Sequence, residues 1–224
     1  MNIFIYWNYK DNDSKKMYQF LNELSFSDLL PDNKIMFHKE FKDFNIDDSI
    51  CNDMKNSDII FFFTHGDDDA ILKFRYNNEQ YKQQFTFIDF NNANLLKEKK
   101  VIAICCRSAN CLGKHCVSDN IQCKFFVGFQ DDLVYSDGFS KKLRSLIYKA
   151  YSNAFKNAFL DAYKYKWSAE KFVLVLKKYI SDMLTSQILL SQDRKLGSYS
   201  GVSFHQKSAE SLIVLGQSQL LVFE

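Results

Sequence analysis

An imidazole and a thiol stand at the ends of two apolar runs. Asp58-Ile59-Ile60-Phe61-Phe62-Phe63-Thr64 stops at His65-Gly66, and Lys100-Val101-Ile102-Ala103-Ile104 stops at Cys105-Cys106-Arg107-Ser108. If the runs are neighbouring parallel strands, their carboxyl ends share the sheet edge where open α/β proteins form an active-site crevice. A histidine and a cysteine delivered there side by side are the two parts of a cysteine hydrolase. The thiol gives its proton to the imidazole and attacks a carbonyl carbon, and the imidazole returns the proton to the leaving group. Side chains alternate along a strand, so Cys105 and Cys106 point to opposite faces and only one can meet the histidine. Gly66 adds a backbone that can turn with positive φ and an unobstructed N–H. The competing reading for either cysteine is a small buried residue, a frequent fate of free thiols.

The elements that must position this pair are readable as alternating strands and helices. Asn2 to Trp7 is a short β-forming run, and Asp13 to Leu24 carries Met17, Phe20, Leu21 and Leu24 at helical spacing with Asp13 or Ser14 as N-cap. A turn at Pro31-Asp32-Asn33 leads to a second strand, Lys34 to His38, a short helix over Ile46 to Met54, and the third strand, Asp58 to Thr64. This β-α-β-α-β order predicts a parallel sheet covered by helices. Ala70 to Tyr76 and Gln83 to Ile88 form a hairpin next to His65. Asn91 to Lys99 is a helix entering the fourth strand, Val101 to Cys105; a loop then runs to Cys123 and a fifth strand spans Lys124 to Phe129. Helices over Asp137 to Tyr165 and Ser168 to Leu190 follow, then a polar loop over 191–203. Ser211 to Leu215 and Gln219 to Phe223 flank Gly216-Gln217-Ser218 as a C-terminal hairpin.

The pairing of Phe63-Thr64-His65-Gly66 with Ile104-Cys105-Cys106-Arg107-Ser108 resembles the caspase-like peptidases, the group of caspases, metacaspases, gingipains, separases and bacterial CHAT-domain proteases. The family's His-to-Cys spacing is about 50 residues, somewhat longer than here, and the order of elements fits from residue 1 to about 165. The resemblance implies a three-layer α/β/α fold with a mostly parallel central sheet and peripheral β-hairpins, in one domain over 1–224 with its core in about 1–165. It implies Cys106 as nucleophile, His65 as proton-transfer partner in a dyad, and the Gly66 N–H with the nucleophile's own N–H as oxyanion donors, each lowering the barrier by roughly 3 kcal/mol. It further implies a specific protein or peptide substrate, control by an activating partner, by dimerisation or by cleavage within 191–203, and a place in bacterial defence systems. The chain departs from caspases and metacaspases at Ile104, where the family has Gln or Asp lining the pocket for the P1 side chain. Asp67-Asp68-Asp69 and Asp131-Asp132, on the same expected sheet edge, could make that pocket acidic and select a basic P1; they could equally be solvated loop carboxylates or, less simply, bind calcium.

Composition narrows the alternatives. Hydrophobic content of 46% with 22 phenylalanines supplies a full core, against disorder. A net charge of +2 with mixed signs gives no footprint for nucleic acid. No apolar stretch approaches the ~20 residues that span a bilayer, and Met1 to Trp7 lacks a basic leader, so a cytoplasmic chain with reduced thiols is expected. Cys105, Cys106, Cys111, His115, Cys116 and Cys123 are dense but contain no Cys-x-x-Cys pair, so no metal and no cofactor is expected. Two other readings stay open. One is a non-catalytic module of the same fold. The other is a flavodoxin- or TIR-like domain, although the chain has neither a Gly-x-Gly-x-x-Gly nor a Walker A motif.

Overall fold

The computed structural model describes residues 1–9, 12–23, 33–39, 48–78, 81–133, 141–190 and 206–224. The expected Pro31-Asp32 turn and the 191–203 loop lie outside the described residues. Strands β1 (Asn2–Trp7), β2 (Lys34–His38), β3 (Ile59–Phe63), β7 (Lys100–Ile104), β8 (Phe125–Phe129) and β9 (Leu212–Gly216) form one six-stranded sheet. Its order is β2-β1-β3-β7-β8-β9, with the first five strands parallel and β9 antiparallel to β8. The protein is therefore an α/β fold with a mostly parallel central sheet and helices on its faces.

Burial on both faces explains the uninterrupted apolar runs. Every residue of β3, β7 and β8 is buried, as expected where helices cover both sides of parallel strands. On one face Phe61, Phe63, Ile102 and Ile104 pack with α1 (Asn12–Met17), α2 (Phe20–Glu23), α5 (Lys141–Lys164) and α6 (Ala169–Leu190). On the other, Ile60, Phe62, Val101, Ala103 and Cys105 pack with α3 (Asp48–Lys55), α4 (Cys111–Cys116) and the hairpin of β5 (Ile71–Asn78) and β6 (Tyr81–Ile88). A two-residue strand, β4 (His65–Gly66), joins that hairpin antiparallel to β5. The Tyr6 hydroxyl donates to the Lys73 carbonyl at 2.6 Å and ties the hairpin to the main sheet.

Four elements differ from the sequence expectation. The first helix breaks at Tyr18-Gln19 into α1 and α2, and Asp13 lies within the first turn of α1. Asn91 to Lys99 holds only a 3-10 turn, Ala93–Leu96, which buries Ala93, Leu95 and Leu96 and is followed by Glu98 in a left-handed conformation at φ 58°. The stretch expected as loop after Cys106 contains α4. The C-terminal hairpin is absent among the described residues. β9 is a lone strand on β8, and the tail turns at Gln217 to Leu220, meets Ser168 through Leu221, and buries Phe223 against Phe61 and Phe159. Core burial of Val222 and Phe223 thus replaces strand pairing. No described helix is long and apolar enough to cross a membrane.

Candidate active site

The register of the central sheet aligns the two chemical groups. In the β3–β7 ladder Ile59 faces Lys100 and Phe63 faces Ile104, a constant separation of 41 residues. His65 and Cys106 are separated by the same 41 residues, two positions beyond the ladder's end. They also continue one face: Phe61 and Phe63 on β3 and Ile102 and Ile104 on β7 lie in the core to which Cys106 packs, whereas Cys105 lies in the opposite one. Period-two alternation carried past both strand ends therefore puts the imidazole and one thiol on the same side. His65 and Cys106 line one small cleft with Asp13, Ser14, Tyr18, Thr64, Leu133 and Tyr148, and both are half-buried.

The two adjacent thiols have different surroundings. Cys105 has no exposed surface, and burial pushes its thiol well up, with a smaller opposing effect from the Ser108 hydroxyl. It is chemically inert in that state. Cys106 accepts a hydrogen bond from the Leu133 N–H at 3.3 Å. An N–H aimed at sulfur favours the thiolate over the thiol. Leu133 is held for this task. Its carbonyl accepts from the Tyr151 hydroxyl at 2.7 Å and from Ser208 at 2.8 Å, and Ser208 also reaches the Asp132 carbonyl at 2.7 Å.

Gly66 is required by close approach and not by a left-handed turn, since its φ is not among the positive ones. A Cβ there would lie 2.4 Å from the Cys106 carbonyl oxygen and 3.1 Å from the Cys105 Cβ. The backbone of β4 thus runs directly against the residues that end β7. On its other side the strand pairs with β5, and the Asp67 N–H donates to the Ala70 carbonyl at 2.8 Å. In an antiparallel ladder, bonded and non-bonded pairs alternate. The Asp67–Ala70 pair is bonded, so the next pair, Gly66–Ile71, turns its amides away from the hairpin.

The turn after Cys106 is built around Arg107, which sits at φ 52°. Its N–H donates to the Asp131 carbonyl at 3.2 Å. Its guanidinium meets Asp132 at 3.0 Å, Asp67 at 3.4 Å and Asp68 at 3.6 Å. Burial acts to lower the Arg107 pKa, but the three carboxylates outweigh it and hold the group above its ordinary value. Asp68 further accepts from the Asn110 amide at 2.7 Å, and its carbonyl receives the Cys111 and Leu112 N–H groups at 2.9 Å each. Buried Ser108 donates to the Cys105 carbonyl at 3.1 Å, a position open because residue 128 is glycine: a Cβ there would lie 2.6 Å from the Ser108 oxygen.

These contacts revise the expected specificity pocket. Ile104 is 1% exposed in the core, and its carbonyl accepts from the Tyr18 hydroxyl at 2.7 Å, so its side chain lines no pocket. Asp67, Asp68 and Asp132 surround a cation of this chain, while Asp131 contributes its carbonyl to the same turn. The structure also brings in groups not singled out for chemistry from the sequence: Asp13, read as a cap, Tyr148 on α5, and the Leu133 amide. A carboxylate shortly after the first strand, at the same sheet edge, was the available signal for Asp13.

A larger cavity, about 740 Å³, lies at the opposite edge, lined by Lys100, Cys123, Lys124 and Gly216 among others. It contains no histidine, and Cys123 is buried with its thiol well above the ordinary value. Compared with protein-family models and with curated proteins, the chain matches none.

Proposed function

We propose that the protein is a cysteine peptidase with a caspase-like fold and a Cys106–His65 dyad. The observation that carries this reading is the shared 41-residue offset, which places His65 beside Cys106 at the carboxyl edge of a parallel sheet. In the reaction the Cys106 sulfur, assisted by the Leu133 N–H, attacks the scissile carbonyl of a protein or peptide. His65 takes the thiol proton and passes it to the leaving amine. The carbonyl oxygen gains negative charge next to the Gly66 and Cys106 N–H groups. Water then hydrolyses the acyl-enzyme through the same histidine. Asp67, Asp68 and Asp132 already engage Arg107, which offsets one of their three charges, so a basic P1 side chain would compete with Arg107 for them.

The test is digestion of a diverse peptide mixture by wild type, Cys106→Ala and His65→Ala, read by mass spectrometry. Cleavages present only with wild type, clustered by P1 residue, support the peptidase. Cleavage retained in Cys106→Ala moves the nucleophile elsewhere.

One observation favours a second reading, a non-catalytic module that binds a partner. The cleft is small, about 70 Å³. A latent peptidase opened by an activating partner accounts for the same volume. The two part on Cys106→Ala: the module binds its partner unchanged and cleaves nothing in its presence, whereas the latent enzyme gains cleavage with the partner and loses it on substitution.

A further inference from the structure

Asp13 is the one carboxylate lining the cleft that contains His65 and Cys106 among the described residues. Its place is fixed from two sides. The indole N–H of Trp7 donates to the Ser14 carbonyl at 3.2 Å, and Trp7 is the ladder partner of Phe63, two residues before His65. Four residues after Ser14, the Tyr18 hydroxyl donates to the Ile104 carbonyl at 2.7 Å, two residues before Cys106. The short helix α1 is thus pinned to both strands that deliver the dyad, with Asp13 in its first turn facing them.

Two roles are open to a carboxylate so placed: a counter-charge for a substrate cation, or a partner for the histidine. Position decides between them. α1 is held to both strands that deliver His65 and Cys106, so Asp13 stays beside the pair with or without a substrate. Among the described residues, the groups that line the cleft with His65 and Asp13 include the Tyr18 and Tyr148 hydroxyls, Thr64, Ser14 and the Cys106 sulfur, and none of them is a cation. Arg107, in the adjoining turn, is engaged by Asp67, Asp68 and Asp132.

We propose that Asp13 is a positioning residue that holds the His65 ring, extending the dyad to a Cys106–His65–Asp13 array. The inference rests on the dyad reading above. A carboxylate that accepts from one ring N–H holds the imidazole in place to take the Cys106 proton at the other nitrogen. It also selects the ring tautomer whose other nitrogen can accept that proton. No net atom or electron is transferred to Asp13.

The experiment uses the full chain and needs no peptide substrate. Iodoacetamide labelling at pH 7 is followed by mass spectrometry for Cys106 and, as an internal reference, exposed Cys111. The His65 ring nitrogens are read by two-bond ¹⁵N–¹H correlation. In wild type, Cys106 reacts faster than Cys111. In Asp13→Asn the Cys106 rate falls about tenfold, because the ring loses the acceptor that fixes its tautomer. Cys111 is unchanged, and the His65 tautomer signature moves while those of His38 and His115 stay in place. Asp13→Glu recovers most of the Cys106 rate. Fast Cys106 labelling that is equal in wild type and Asp13→Asn overturns the role of Asp13 and leaves the dyad standing. Wild-type Cys106 reacting no faster than Cys111 overturns the dyad itself, and the array with it.

Discussion

The two edges of the central sheet each present a cysteine beside a tight turn, and their hydrogen bonds run in opposite directions. At the amino-terminal edge the Cys123 thiol donates to the Lys99 and Phe125 carbonyls at 3.1 and 3.4 Å, beside the cavity of about 740 Å³. At the carboxyl-terminal edge the Cys106 sulfur accepts from Leu133 in a cleft a tenth that size. A sulfur that donates must keep its proton, whereas an N–H donated to sulfur is stronger toward a thiolate than toward a thiol. Lys100 sharpens the contrast: at the amino edge it donates to the Leu221 and Glu224 carbonyls at 2.7 and 2.6 Å, so its charge serves the tail and not a ligand or thiolate. The difference teaches that chemistry follows the polarity of the contacts around a group, while open volume does not.

The strongest way to break that comparison is to remove each sulfur in turn. Cys106→Ala is expected to lower peptide turnover by about 10⁴-fold or more, as loss of a covalent nucleophile does, while Cys123→Ala leaves the rate within about twofold. Equal losses in the two variants, read from initial rates, would show that the direction of these hydrogen bonds does not distinguish the thiols. Gly66→Ala comes next. Its new Cβ meets the Cys106 carbonyl, a backbone atom that cannot step aside, so it should cost about 1–3 kcal/mol of stability in urea unfolding and most of the activity. Gly128→Ala meets a side-chain oxygen instead, and the double variant Gly128→Ala/Ser108→Ala should recover part of the loss. If Gly66→Ala folds and turns over normally, the packing of β4 on the end of β7 is not what aligns the site.

The sequence made the strands and their shared edge legible because a sheet buried on both faces needs continuous β-branched and aromatic runs, and these stop where the chain meets solvent. His65 and Cys106 stand just past two such stops, and the offset between them could be counted before any coordinates existed. The surroundings were less readable. Whether Asp67, Asp68 and Asp132 meet a ligand or Arg107 depends on three loops converging, which no local pattern encodes. Ile104 was open as a pocket residue only until the face it shares with Ile102 was fixed. The Gln219 to Phe223 segment alternates like a strand, yet its aromatic end gains more from the core beside Phe61 and Phe159 than from pairing at an edge. Asp13 carried a capping signal, and its place in the cleft appears only when α1 is pinned to Trp7 and Ile104.

A smaller effect separates the buried thiols from Cys106 by pH. Burial raises Cys105, Cys116 and Cys123 from 9.0, Cys116 to about 12. For an acid whose folded value is raised, the neutral form belongs to the fold, so its contribution is complete below the unfolded value and is lost as pH rises above it. Stability should therefore hold to about pH 9 and then fall, by up to about 1.4 kcal/mol per pH unit for each such thiol, until the folded values are reached. Tyr6 and Tyr151, also raised by burial from 10.0, add to the loss only at higher pH. Urea midpoints measured between pH 7.5 and 10.5 give the slope, and Cys116→Ala should make it shallower. A midpoint independent of pH across that range would mean the buried thiols ionise as readily in the fold as out of it.

The smallest effect concerns the turn that carries Cys106. Arg107 pairs with three carboxylates but is 39% exposed, and exposed pairs contribute only about 0–1 kcal/mol each after solvent screening. Its left-handed backbone costs a non-glycine residue about 1–2 kcal/mol. The two terms oppose each other, so Arg107→Gly, which loses the pairs and relieves the backbone, should change stability little. Arg107→Ala loses the pairs and keeps the strain, and should be about 1 kcal/mol less stable than the glycine variant in the same urea titration. Both variants free Asp67 and Asp132 beside the cleft, and the added negative charge should slow Cys106 alkylation by a few-fold, because a neighbouring anion disfavours the thiolate. Cys123, at the far edge, should not respond. An alkylation rate unchanged in both variants would mean that the arginine shapes the turn without tuning the sulfur beside it.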